Sequence, residues 1–175
     1  LELVGPPFTQ PANTLSITNY GAIANDGLDD SNAYIACNNA CKSQGKSIWI
    51  PAGTFHNNRV ITLGDGVGIY GAGVWYSTMA RLATVGNWTH FAVLNGNCQD
   101  FYIDQLCTAR TKDEGKAWGL YAGGGKGFTI QRIWGNRCSA TLWVSGSNVL
   151  IQDCRVNEGW ADGINVNAQK DGPTG

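Results

Sequence analysis

Charge is scarce in this chain: of its 175 residues, only 14% are Asp, Glu, Lys or Arg, against about 25% in an average globular domain. Twelve Lys and Arg face thirteen Asp and Glu, for a formal net charge of -1, and no basic run occurs. The electrostatic footprint of a nucleic-acid binder is therefore missing, and nucleic acid is excluded as an expected partner. No apolar run approaches the 18 or more residues of a membrane span. The opening Leu1-Glu2-Leu3-Val4-Gly5-Pro6-Pro7 has neither the basic nor the apolar segment of a secretion signal. No membrane partner is expected, and a chain that starts at Leu1 reads as processed or partial. No two cysteines form a C-x-x-C pair, and His56 and His90 have no second ligand at metal spacing. Zinc and redox motifs thus lack support, and neither a metal nor a cofactor is expected. Glycine, in contrast, is abundant at 24 residues, nearly twice the usual share of about 7%, which excludes a coiled coil or an ordinary helical bundle. The length suits one domain burying roughly 70% of its unfolded surface.

The six cysteines stand at 37, 41, 98, 107, 138 and 154. Disulfides in an oxidising compartment are the favoured reading, with burial as small hydrophobes the alternative. Asn87-Trp88-Thr89 is an N-glycosylation acceptor. Together these predict a secreted, extracellular protein.

Residues 1 to 14, rich in Pro, Thr and Asn, read as an extended lead-in ahead of one domain over 15–175. Ser16 to Asn19 alternates like a short strand, and Asn25-Asp26-Gly27 is a turn. A helix is predicted over 30–44: Asp30 or Ser31 can cap it, Ala33, Ala36, Cys37, Ala40 and Cys41 recur at helical spacing, and Gly45 suits the C-terminal cap. Past Lys46 short apolar clusters such as Ile48-Trp49-Ile50 and Phe101-Tyr102-Ile103 alternate with Gly, Asn and Asp, which predicts strands and tight turns. Gly123 to Gly127 resembles a phosphate loop only superficially, since no Ser or Thr follows Lys126, and it reads as a turn between coils. Asp113-Glu114 reads as a solvated loop.

The spacing of the clusters sets the architecture. Leu120, Leu142 and Ile164 recur at one interval, and Ile130 and Ile151 at nearly the same one. A repeat of that length means stacked units sharing a continuous core. The L-x-x-L-x-L-x-x-N run of a leucine-rich horseshoe is absent. The fold class expected is all-β, a right-handed single-stranded parallel β-helix with an N-terminal capping α-helix shielding the first coil's edges and core. No cap is evident at the other end, so the protein is expected to continue or to be covered there.

Ile17-Thr18-Asn19-Tyr20-Gly21-Ala22, Asp29 to Ala33 and Ile48 to Phe55 resemble the amino-terminal part of the pectin-lyase-like β-helix superfamily. Ile69-Tyr70-Gly71-Ala72-Gly73-Val74-Trp75-Tyr76-Ser77 and Ala161-Asp162-Gly163-Ile164-Asn165 narrow this to a resemblance to glycoside hydrolase family 87, the α-1,3-glucanases and mycodextranases. The resemblance spans roughly residues 15 to 168. It implies an inverting glycosidase acting on α-1,3-glucan or mixed α-1,3/1,4-glucan, with Asp162 as one of three catalytic aspartates. The other two, an adjacent pair, belong one coil further on, past Gly175, so this chain is expected to be an amino-terminal portion of a catalytic domain, inactive by itself.

The residues allow that chemistry independently. Inverting hydrolysis needs two carboxyl groups about 6.5–9.5 Å apart, which neighbouring coils about 4.8 Å apart can supply with a lateral offset. An Asp-Gly turn is the competing reading of Asp162. Strict alternation would also put Asp162 on the core face with Ile164, so an outward carboxylate requires a bend at Gly163. If Leu120, Leu142 and Ile164 point inward, Tyr121, Trp143 and Asn165 form an outward strip, with Asn167 beside them. Aromatic faces cover a pyranose ring while amides take its hydroxyls, so the substrate-binding set is Tyr121, Trp143, Trp160, Asn165 and Asn167. Packing beneath a loop remains the alternative for Trp143, and core packing for Trp160. Trp75 and Tyr76 are read as holding a loop against the coil. The expected partner is a neutral polysaccharide bound by a monomer. A binding module without catalysis is the alternative, as is a uronate-acting enzyme, though the strip carries no Lys or Arg to attract a polyanion.

Overall fold

The computed structural model describes residues 4–82, 89–106, 117–159 and 161–167. Its strands are β1 (Thr14–Ser16), β2 (Ser47–Ile50), β3 (Gly53–Asn57), β4 (Ile61–Thr62), β5 (Ile69–Gly71), β6 (Ser77–Arg81) and β7 (Phe91–Ala92), followed by β8 (Cys98–Asp104), β9 (Trp118–Lys126), β10 (Thr129–Asn136), β11 (Ala140–Ser147), β12 (Leu150–Gln152), β13 (Arg155–Asn157) and β14 (Ile164–Val166). Among the described residues one α-helix, α1 (Ser31–Gln44), interrupts them. All named pairings are parallel and join each strand to one a coil away, which makes the chain a parallel β-helix.

Three lines of strands run along the coil stack. The first is β1-β2-β5-β8-β10-β12, the second β3-β6-β8-β10-β13 and the third β4-β7-β9-β11-β14; among the described residues the first two form one nine-stranded sheet and the third a five-stranded one. Strands β8 and β10 belong to the first two lines because each bends midway, at Asp100 (φ 68°) and Arg132 (φ 48°). Asp153 (φ 53°) turns the chain at the same corner between β12 and β13. The left-handed conformation is unusual for residues with a Cβ, and here an ion pair holds it: the Arg132 guanidinium grips the buried Asp100 carboxylate through Nε–Oδ1 at 2.5 Å and Nη2–Oδ2 at 2.9 Å.

The inward ladder follows the sequence repeat. Leu120, Leu142 and Ile164 are register partners, as are Ile130 and Ile151. Ile48, Ile69, Cys98 and Ile130 form a second row, fully buried throughout. Helix α1 covers the first coil: Ala33, Tyr34, Cys37 and Cys41 pack into the core, and Gly45 (φ 63°) closes it with a bond from its N–H to the Cys41 carbonyl. Tyr34 and Asn38 take buried places where Ala36, which is exposed, was expected.

Four expectations are corrected. Ile17 to Tyr20 is a 3-10 turn rather than strand, because Ser16 Oγ accepts from Thr18 N–H and starts a turn. Gly123 to Gly125 lies inside β9, and the turn falls at Gly127 (φ 70°). Asp30 stands at the helix start but its carboxylate accepts from Ile23 and His56 N–H, while Asp29 accepts from Ser31. No disulfide forms among the described cysteines. Cys37 and Cys41 sit one turn apart on the buried face of α1, with their thiols in contact, and thiols rest on nearby carbonyls: Cys37 on Leu15, Cys98 on Gly96, Cys138 on Asn136 and Cys154 on Gln152. Burial pushes the Cys98 thiol up to about 12, so it stays protonated and packs as an aliphatic residue would. Cys107, Asn87, Asp113 and Glu114 lie outside the described residues.

Candidate functional site

The outer surface of the third line carries the predicted strip. Thr62, Ala92, Tyr121, Trp143 and Asn165 are successive register partners, one per coil. Their inward neighbours Ile61, Phe91, Leu120 and Leu142 are fully buried. A parallel ladder with a fixed inside therefore brings Tyr121, Trp143 and Asn165 into one row, as alternation requires.

Trp118 joins them, a member that alternation from Leu120 conceals. Its ring stacks on Trp143 (centroids 4.4 Å apart, planes 16° apart) and on Tyr121 (5.4 Å, 23°), giving a three-ring slab. Alternation fails at Gly119: a Cβ there would lie 2.7 Å from the Thr141 carbonyl and 3.3 Å from Ile103 Cδ1, so Gly119 faces inward together with Leu120. The chain turns a corner at this point, and Trp118 comes out on the same side as Tyr121. The Trp-Gly-Leu-Tyr order, with a glycine between two large residues at a strand start, was the available signal.

Asp162 repeats the arrangement two coils on. A Cβ at Gly163 would lie 3.1 Å from Val156, which stands in register with the inward Gly135, so Gly163 and Ile164 both face the inner side of the last coil and Asp162 faces solvent. The required bend thus exists, and Gly163 makes it by lacking a side chain; it is not among the glycines with positive φ. The Gly163 carbonyl accepts from Thr141 N–H at 2.9 Å, which fixes the approach. Asp162 Oδ2 in turn accepts from Asn165 Nδ2 at 2.5 Å, so the amide of the strip orients the carboxylate. Because Ala140 pairs with Trp118, and Leu142 with Ile164, Trp118 and Asp162 occupy equivalent corner positions two coils apart, roughly 10 Å.

Asn167 lies past the end of β14, exposed, with its N–H on the Val144 carbonyl. Trp160 lies outside the described residues. Trp118, Tyr121, Trp143 and Asn165 are half-buried, and the cavities of 810 and 550 Å³ lie against the other sheet. Among the described residues of the third line's strands and their starts, Asp162 is the one carboxylate.

Neither a scan of protein-family profiles nor a search of curated proteins finds a match. Solved structures do match. The Agl-KA catalytic domain superposes with a TM-score of 0.76 at 23% identity over 96% of this chain and 36% of its own. The catalytic unit of a thermostable GH87 α-1,3-glucanase from Streptomyces thermodiastaticus gives 0.73 at 23% over 93% and 31%. A GH87 α-1,3-glucanase catalytic domain in complex with nigerose gives 0.70 at 24% over 94% and 29%. The same fold extends, at 16–17% identity, to an Azotobacter vinelandii mannuronan C-5 epimerase module and a Streptococcus pneumoniae surface adhesin. The chain spans about a third of the length of the glucanase domains, and over that span its fold is the parallel β-helix of glycoside hydrolase family 87 catalytic domains.

Proposed function

We propose that this chain belongs to a secreted glycoside hydrolase that cleaves α-linked glucan by an inverting mechanism, with Asp162 as one of its carboxyl groups. The observation that carries the reading is the three-ring slab of Trp118, Tyr121 and Trp143 on the same outer face as the Asp162–Asn165 pair. The stacked slab offers an apolar surface to the C–H face of a glucose unit, and Asn165, Asn167 and Asp162 offer hydroxyl partners at one end. Asn165 donates to the Asp162 carboxylate and so orients it toward a water or a sugar hydroxyl. Inversion needs a second carboxyl about 6.5–9.5 Å away. A polymer substrate cannot cross a membrane, which agrees with extracellular action.

Glycan binding without cleavage is the second reading, favoured by Asp162 being the one carboxylate at the described strip and by the adhesin among the folds that match. One experiment separates the two. Reducing-sugar release from α-1,3-glucan and affinity for α-1,3-linked oligosaccharides are measured for the native protein as a whole catalytic domain containing this chain, and for its Asp162→Asn and Trp143→Ala variants. Hydrolysis predicts that Asp162→Asn loses at least 100-fold in rate and keeps its affinity, while Trp143→Ala weakens binding tenfold or more. No release by the native protein, with affinity intact, selects the binding module. Unchanged affinity in Trp143→Ala removes the strip from either account.

A further inference from the structure

We propose that the cleft between the amino-terminal lead-in and the outer side of the nine-stranded sheet is a second carbohydrate site, for a neutral oligosaccharide. Its sugar class rests on the glucan reading above; its existence does not. The outer sides of the two sheets are separated by the core, so this cleft and the strip around Trp143 are distinct surfaces.

The cleft has the size and the construction of a ligand site. A cavity of 810 Å³ runs between the lead-in at Gly5 to Thr9, the segment Ala72 to Tyr76, and the outer side chains of Arg132, Trp134 and Arg155. It shares Val74, Trp75, Trp134 and Arg155 with a neighbouring cavity of 550 Å³ that reaches Tyr102 and Asn157. Both fall within the roughly 300–1,000 Å³ of small-molecule sites. The walls are tied down: Phe8 N–H donates to the Ala72 carbonyl at 2.9 Å, Tyr76 Oη to the Gly5 carbonyl at 2.5 Å, and Gly53 N–H to the Tyr76 carbonyl at 2.8 Å. Tyr76 thus holds a loop, as its sequence context suggests. Trp75 does not pack down in the same way.

Trp75 is 55% exposed, as is Phe8 at the opposite wall. Its ring meets Trp134 edge-on at 4.6 Å and 77°, and Arg155 lies 4.4 Å above the Trp134 centroid. Trp134 is therefore covered by its neighbours and positions Trp75, whose own face is left to the cleft. A large aromatic kept in water between fixed walls is the mark of a surface that binds. Charge decides the ligand class. Asp100 and Arg132 neutralise each other, and Asp153 and Arg155 add one charge of each sign. A cleft with balanced charge and an exposed indole suits the C–H face and hydroxyls of a neutral sugar rather than a polyanion. Holding a chain here would keep the polymer near the strip, raising its effective concentration there.

The test uses the full chain and an α-1,3-linked glucose tetrasaccharide, titrated by calorimetry and by indole N–H resonances in NMR spectra. Oligogalacturonate of the same length is the charged control. Two sites per chain are expected, with indole shifts at Trp75 and at Trp143. Trp75→Ala leaves one site, Trp143→Ala leaves the other, and Trp75→Phe retains part of the first. The NMR titration of the native chain stands even if Trp75→Ala fails to fold. Shifts at Trp75 without shifts at Trp143 uphold this cleft and remove the strip from the proposed function. Shifts at Trp143 alone, no binding at all, or tighter binding of oligogalacturonate at Trp75 overturn the proposal.

Discussion

His90 makes the fold acid-sensitive, and the structure sets the size of the effect. It is fully buried ahead of β7, with its ring against Phe91 and beside the fully buried Arg81. Burial, chiefly, and the Arg81 charge lower its pKa from 6.5 to about 3, while a hydrogen bond with Gln105 acts the other way. The unfolded chain therefore takes up the proton first. The penalty is absent above the unfolded pKa, grows as pH falls from about 6.5 to about 3, and levels off below that. At about 1.4 kcal/mol per unit, moving from pH 7 to pH 5 removes about 2 kcal/mol of folding stability, a large part of the 5–15 kcal/mol typical of a domain. Urea unfolding followed by tryptophan fluorescence at half-unit steps over this range measures it, with His90→Gln, which cannot take the charge, as the comparison. The native midpoint falls across the range and the variant's stays flatter by about 2 kcal/mol. Parallel slopes for the two proteins would refute the assignment of the acid response to His90.

The packing at the corner between the second and third strand lines gives two stability predictions. A Cβ at Gly135 would overlap the Thr141 side chain, so Gly135→Ala is expected to lower stability by more than about 2 kcal/mol, read as a shifted urea midpoint. The Thr141 hydroxyl is buried without a hydrogen-bond partner, so Thr141→Val, which keeps the shape, is expected to raise stability by about 1 kcal/mol in the same assay. Arg132→Ala leaves the Asp100 carboxylate buried and without its ion pair; because Arg132 itself is partly exposed, a loss of about 1–3 kcal/mol is expected, recovered in part in Asp100→Asn/Arg132→Ala.

Where coils have equal length, the sequence and the structure agree closely. Leu120, Leu142, Ile164 and the pair Ile130 and Ile151 announce the stack because each aliphatic faces inward at the same place in its coil. The strip of Tyr121, Trp143 and Asn165 follows from that register alone. Trp118 escapes because Gly119 faces inward next to Leu120 and breaks the alternation, and Asp162 shares that geometry through Gly163. The cleft around Trp75 depends on contacts between Tyr76 and Gly5, far apart in the chain, which no periodic pattern encodes. Cys98 misleads because it stands in register with Ile69 and Ile130, a hydrophobic position in an unbroken row.

The largest length differences between coils fall at one corner. Between the first and second strand lines the later coils repeat a fixed interval, Cys98 to Ile103, Ile130 to Gly135 and Ile151 to Val156, pinned by the Asp100, Arg132 and Asp153 turns. Between the second and third lines the chain goes from Phe55 to Ile61 in one coil and from Ile103 to Leu120 in another, nearly three times as far. Residues can thus be gained or lost here while every ladder stays in register. The chain rejoins the third line at Trp118, beside the aromatic slab. The scaffold thereby separates what must stay constant from what is free to diverge, and it puts the freedom at the edge of the surface proposed to meet the glycan.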